Sequence, residues 1–112
     1  MLPKLINLTL HLVIKEVDSV LEDCLKQPYQ AAFSIQQWRH KLINCVLNQI
    51  PNYYTIIEGM KDLPEDPTIL YRCPEEQSIL KALIYKSMAE VLQQNSESIS
   101  GDILQKQSSN NY

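Results

Sequence analysis

Ile6, Leu10, Val13, Val17, Val20 (with Leu21) and Cys24 recur at spacings of four and three, a heptad-like apolar stripe. The spacing predicts a first helix over 3–26, with Pro3 suited to its first turn and Pro28 marking the far limit. Leu2, Leu5, Leu8 and Leu12 add a second stripe on the N-terminal half alone. In the back half, Glu16, Asp18, Ser19, Glu22 and Asp23 read as a solvated acidic face. A helix apolar on every side is covered on every side. In so short a chain, cover for Leu5, Leu8 and Leu12 is expected from a second subunit. The simpler alternative is that later helices of the same chain wrap the stripe.

A second helix is predicted over 35–50. Ser34 with Gln37 reads as a capping box, and Pro51 ends the run. Ile35, Trp38, Leu42, Ile43, Cys45, Val46, Leu47 and Ile50 share a broad face. Arg39 falls near the middle of that apolar arc, where a guanidinium needs a partner. It either snorkels to the surface or pairs with a carboxylate, or it meets an anion at an interface. Residues 52–73 are irregular: 53–57 and 68–72 are rich in β-branched and aromatic residues and flank a segment holding Gly59, Pro64 and Pro67. A short hairpin and a loop with half-turns fit equally well.

A third long helix begins near Pro74, where Glu75 and Glu76 complement the helix dipole. Its apolar face runs from Leu80 through Leu83, Ile84, Met88 and Val91 to Leu92, ending near 94. Residues 95–112 are rich in Ser, Asn and Gln, which predicts a disordered tail. The expected fold is all-α: a small bundle of three main helices with an irregular middle segment, assembled as a homodimer. Its helical domain covers 1–94 and the polar tail 95–112.

Composition narrows the function classes. Apolar residues make up 45% and charged residues 21% of the 112, as in an ordinary soluble domain. With only Gly59 and Gly101, the scarcity of glycine argues against phosphate-cradling loops and tight hairpins. The net charge is −3, from 10 basic and 13 acidic residues, and no Lys/Arg run occurs, which argues against long nucleic acid and a DNA-binding helix pair. A small anionic ligand needs only a few local cations. No stretch of about 18 uncharged apolar residues occurs, so no membrane span is expected. Cys24, Cys45 and Cys73, an odd count without a CxxC pair, read as reduced cytosolic thiols and point to the cytoplasm.

Chemistry is sparse. His40 and Cys45 lie roughly on opposite helical faces and no cysteine or histidine pair has zinc spacing; core or partly buried thiols are the default against a site assembled in space from Cys24, Cys45 and Cys73, so no metal and no cofactor is expected. No elbow motif surrounds a serine or cysteine, and the acidic clusters read as solvated faces, so no enzyme activity is expected. The six tyrosines are the exception. Tyr53 and Tyr54 follow a helix end, with Arg72 in the same irregular region and Arg39 on the helix leading into it. Tyrosine rings stack on bases, and arginine pairs with phosphate or stacks as well. The plainer reading packs Tyr54 on the core with its hydroxyl capping a helix end.

The string Val46-Leu47-Asn48-Gln49-Ile50-Pro51-Asn52-Tyr53-Tyr54 resembles the ComFB (late competence development protein) family. The hallmark of that family is a helix ending in Ala-Leu-Asn-x-Leu-Pro-Pro-x-Tyr. Leu47, Asn48, Pro51 and Tyr54 are kept, Ile50 replaces Leu, and Asn52 stands in place of the second Pro. Glu58-Gly59 matches a Glu/Gly step that often follows, and the resemblance spans residues 5–94. It implies a small helical homodimer. Cyanobacterial members are receptors for cyclic dinucleotides, c-di-GMP or c-di-AMP, acting in competence, pili and cell-size control. Bacillus-type members carry a zinc-binding cysteine cluster, which this chain lacks. The expected ligand residues are Arg39, Asn48, Tyr53, Tyr54 and Arg72, with Asn48 and Tyr54 also matching the motif. The expected downstream partner is a protein such as a transcription regulator. The rival expectation is a homodimeric adaptor that engages a protein through its first helix and binds no nucleotide.

Overall fold

Asn7 divides the leucine-rich opening into two elements. In the computed structural model, which describes residues 3–24, 29–58 and 66–109, its side-chain oxygen accepts the Leu10 N–H at 3.1 Å. That bond caps helix α1 (Leu8–Asp23). Before it, strand β1 (Lys4–Asn7) runs antiparallel to β2 (Tyr54–Ile57), with Lys4 opposite Ile57 and Asn7 opposite Tyr54. The helix expected over 3–26 is therefore corrected at its start. An asparagine is a strong cap and a poor helix interior residue, and the sequence Tyr-Thr-Ile-Ile offers a partner of high strand propensity. The far end falls at Asp23; Leu2, residues 25–26 and Pro28 lie outside the described residues.

A short helix α2 (Tyr29–Phe33) precedes α3 (Gln36–Leu47), which is shorter than the predicted 35–50. The Ser34–Gln37 capping box does not form. Ile35 is the N-cap and has no side-chain bond, while Ser34 Oγ donates to the Ala31 carbonyl at 2.8 Å and accepts from Lys106 Nζ at 2.9 Å. Nor does 53–57 pair with 68–72. β2 is taken by β1, and Pro67–Leu70 forms a 3-10 turn capped by Asp66, whose carboxylate accepts the Thr68 N–H at 3.0 Å. Helix α4 (Pro74–Gln94) matches its periodicity, with the proline, Glu75 and Glu76 in its first turn.

The tail expected to be disordered contains α5 (Ser96–Ser109); residues 110–112 lie outside the described residues. Ile99 is buried and Ile103, four residues on, packs beside the core. Trp38 Nε1 donates to Asp102 Oδ2 at 2.7 Å. Two isoleucines one helical turn apart dock an otherwise polar helix. The division at residue 94 thus separates two packed helices, not a folded part from a tail.

The architecture of the described residues is mostly helical, with one two-stranded sheet. Helices α1, α3 and α4 pack pairwise around Val13, Val17, Leu42, Val46, Ile84 and Met88, and α2 adds Phe33. The stripe assigned to a subunit interface is not one surface. Leu5 stands exposed on β1, Leu8 is half-buried at the start of α1, and Leu12 belongs to the core of its own chain. A change from strand to helix at Asn7 breaks the periodicity that joined the three. Among the described residues, no helix is long and apolar enough to cross a membrane.

Candidate functional site

The end of α3 is tied down by side-chain amides. Asn48 is its C-cap, with its backbone N–H donating to Asn44 O at 3.0 Å. Gln49 Nε2 donates to Cys45 O at 2.9 Å and to the buried Ser87 Oγ at 3.1 Å, linking the motif to α4. Asn52 Nδ2 donates to Leu47 O at 2.9 Å and Ile50 O at 2.8 Å, and its Oδ1 accepts from Asn7 Nδ2 at 3.0 Å. The residue that departs from the family pattern therefore fastens the motif to the cap of α1. Tyr53 is pinned next: its N–H donates to the buried Thr9 Oγ1 and its carbonyl accepts the Leu8 N–H, each at 2.8 Å.

Held in this way, Tyr53 lines a groove of about 500 Å3 between the start of α1, the 3-10 turn and the start of α4. Leu12, Leu80 and Leu83 contribute to its apolar lining, and Tyr53, Ile69 and Ile79 are its exposed apolar side chains. Arg72, Glu76 and Tyr71 are its polar members. The Glu76 carboxylate accepts the Arg72 backbone N–H at 2.9 Å, a capping contact at the start of α4. The Arg72 guanidinium makes no ion pair among the described residues. The groove thus combines a stacking ring, an apolar floor, one cation and one carboxylate, Glu76, whose oxygen is engaged by the Arg72 backbone N–H. It can hold a flat ring system beside an anionic group.

Behind the groove lies an acidic side chain in the core. Glu16 is only 2% exposed. Its Oε1 accepts from Gln77 Nε2 at 3.1 Å, and its Oε2 has Lys81 Nζ at 3.9 Å, with no hydrogen bond. Burial first, and the Glu16 carboxylate second, push the Tyr71 phenol above its ordinary range.

Of the five sequence-predicted ligand residues, the structure brings Tyr53 and Arg72 together and leaves three outside the groove. Arg39 lines a separate cleft of about 690 Å3 between α1 and α3, beside Asp18, His40 and Asn44. There its Nη1 pairs with Asp18 at 3.2 Å, while its buried Nε has no hydrogen-bond partner. The alternative of pairing with a carboxylate is the one observed. Asn48 and Tyr54 are exposed and line neither cavity. Thr9 and Tyr71 escaped the sequence reading, which took Asn52 only as a departure from the motif and Glu76 only as a complement to the helix dipole. Asn52 carried a signal, an asparagine just after a helix-ending proline. Glu16, expected on a solvated acidic face, is corrected to the core; the signal was its place three residues from Val13 and four from Val20, inside the stripe. Cys24 is buried, Cys45 half-buried and Cys73 exposed, and no three potential metal ligands gather among the described residues. No family model, no curated protein and no solved structure matches the chain.

Proposed function

We propose that this chain is a non-enzymatic cytoplasmic receptor of the ComFB type, which binds a cyclic dinucleotide, c-di-GMP or c-di-AMP, as a homodimer. It passes the signal to a protein partner such as a transcription regulator. One observation carries the reading: Tyr53 and Arg72, from opposite ends of the irregular middle segment, line the same apolar groove. Tyr53 stacks a base on a ring whose backbone is already clamped, and Arg72 takes a phosphate or stacks on guanine. One chain offers one ring and one guanidinium. Two chains double both, which suits a ligand with two bases and two phosphates. Arg39, neutralised by Asp18, takes no part.

A thermal-shift screen tests the reading. Ligand at about a hundredfold over its dissociation constant adds about 2.7 kcal/mol of stability, which a melting curve resolves. The shift should vanish in Tyr53→Ala and Arg72→Ala and persist in Arg39→Ala. No shift with either nucleotide would remove the receptor reading. A second reading then stands, favoured by the exposed Ile69 and Ile79 at the groove: a homodimeric adaptor that binds a protein segment and no nucleotide.

A further inference from the structure

Two lines of side chains meet across the cleft between α1 and α3. Residues four apart share one line of a helix, so Leu10, Ile14 and Asp18 form the first, and Ile43 and Arg39 belong to the second. Because Asp18 meets Arg39, the charged ends of the two lines coincide, and both turn apolar in the same direction. Ile43 is buried, Leu10 half-buried and Ile14 exposed. At about 690 Å3 the cleft has the size of a small-molecule site. Its arginine is the one that the nucleotide reading leaves unused. A guanidinium is a fork of several N–H donors and can serve two carboxylates. Asp18 takes one terminal nitrogen of Arg39, and the buried Nε has no partner.

We propose that this cleft binds a free α-amino acid with a large apolar side chain. A phosphate or another plain anion meets Asp18 as a like charge, and a plain cation meets Arg39 in the same way. A ligand that carries both charges side by side meets neither obstacle. Asp18 Oδ1 and Arg39 Nη1 are 3.2 Å apart. The ammonium and carboxylate of an α-amino acid hang from a single carbon, so the two sets of charges match in spacing. A dipeptide separates its termini by a peptide unit and loses the match. The ammonium docks on Asp18 and the carboxylate on the Arg39 donors that Asp18 does not use, with His40 and Asn44 lining the cleft beside them. The side chain then follows the two lines onto Ile14, Leu10 and Ile43. Opening the existing ion pair costs little, because both partners are well exposed to water.

The inference stands apart from the receptor reading, which needs Tyr53 and Arg72 and not this cleft. The test is a titration of the full, nitrogen-labelled chain with L-leucine, L-phenylalanine and L-tryptophan, followed by proton–nitrogen NMR. Saturable shifts are expected at the backbone amides of Ile14, Asp18, His40 and Asn44 and at the Arg39 Nε–H. Phenethylamine, which lacks the carboxylate, and hydrocinnamate, which lacks the ammonium, should each bind at least tenfold more weakly than L-phenylalanine. Asp18→Asn and Arg39→Gln should each weaken L-phenylalanine at least tenfold, and Tyr53→Ala at the groove should leave it unchanged. If circular dichroism shows Arg39→Gln unfolded, Arg39→Lys, which keeps the charge and loses the planar fork, gives the same readout. The proposal is overturned if none of the three amino acids gives a saturable shift at about 10 mM, tenfold above a weak millimolar dissociation constant. It is equally overturned if the one-charge analogues bind as well as L-phenylalanine, if the shifts gather at the groove, or if the cleft variants bind like the parent chain.

Discussion

Two regions at either end of one short path along the chain invert the usual distribution of polarity. At the sheet, Leu5, Tyr54 and Ile56 lie in water; on α1, Glu16 lies in the core. The second inversion is largely met from within, because Gln77 donates to the carboxylate and Lys81 stands nearby. The first has no cover among the described residues of its own chain. A buried carboxylate persists where neighbours supply donors, whereas an exposed apolar face gains nothing for the fold of its own chain. The groove is adjacent to both: Tyr53 precedes the sheet and Tyr71 faces the carboxylate.

Substitutions can break or sharpen that contrast. The largest effect is expected at Phe33, fully enclosed by its own chain: Phe33→Ala should cost about 3–5 kcal/mol in urea denaturation. In the same dilute experiment Leu5→Ala should cost under about 0.5 kcal/mol. Comparable losses at both positions would mean that the chain covers its own sheet face, and the contrast would be gone. Next comes Gln77→Leu, which strips the Glu16 carboxylate of its hydrogen bond and should cost about 1–3 kcal/mol. A neutral result would place that carboxylate in contact with water. Asp102→Ala should cost about 1 kcal/mol through the lost Trp38 bond and speed amide exchange across 96–109.

The smallest effects are those of pH. Lys15 first, then Thr68, hold the exposed Asp66 carboxyl at about 2. A depressed carboxyl stabilises the fold above its ordinary value of about 4 and loses that contribution as pH falls toward the folded value. Asp66→Asn should therefore flatten the acid limb of a stability–pH curve. Tyr71 has the opposite sign. Its raised phenol favours the fold below about pH 10 and loses that contribution above it, so Tyr71→Phe should flatten the alkaline limb.

The three long helices were legible because each buries a stripe against the other two, and such a stripe leaves a period in the sequence. Val13, Val17 and Val20 of α1 and Ile84, Met88 and Val91 of α4 are in the core where that period places them. The strand escaped because four residues are too few to display a period against the leucines that follow, and the partner of β1 lies about fifty residues away. Helix α5 escaped because composition averages over Ile99 and Ile103. Of the candidate site, Tyr53 and Arg72 could be named from their chemistry, but their meeting depended on the 3-10 turn and on the clamp from Thr9. Arg39 stood out for its place in an apolar arc, and its partner Asp18 belongs to another helix.

By itself the sequence determined the helical stripes and a net charge of −3 with no run of Lys or Arg. These properties are set by near neighbours and by summed composition. Only the tertiary structure decided that the opening leucines divide between strand and helix, that Arg39 is occupied, and that Tyr53 and Arg72 share a groove. Each of those outcomes depends on contacts between residues far apart in the chain, whose free energy appears only when the helices have closed on one another.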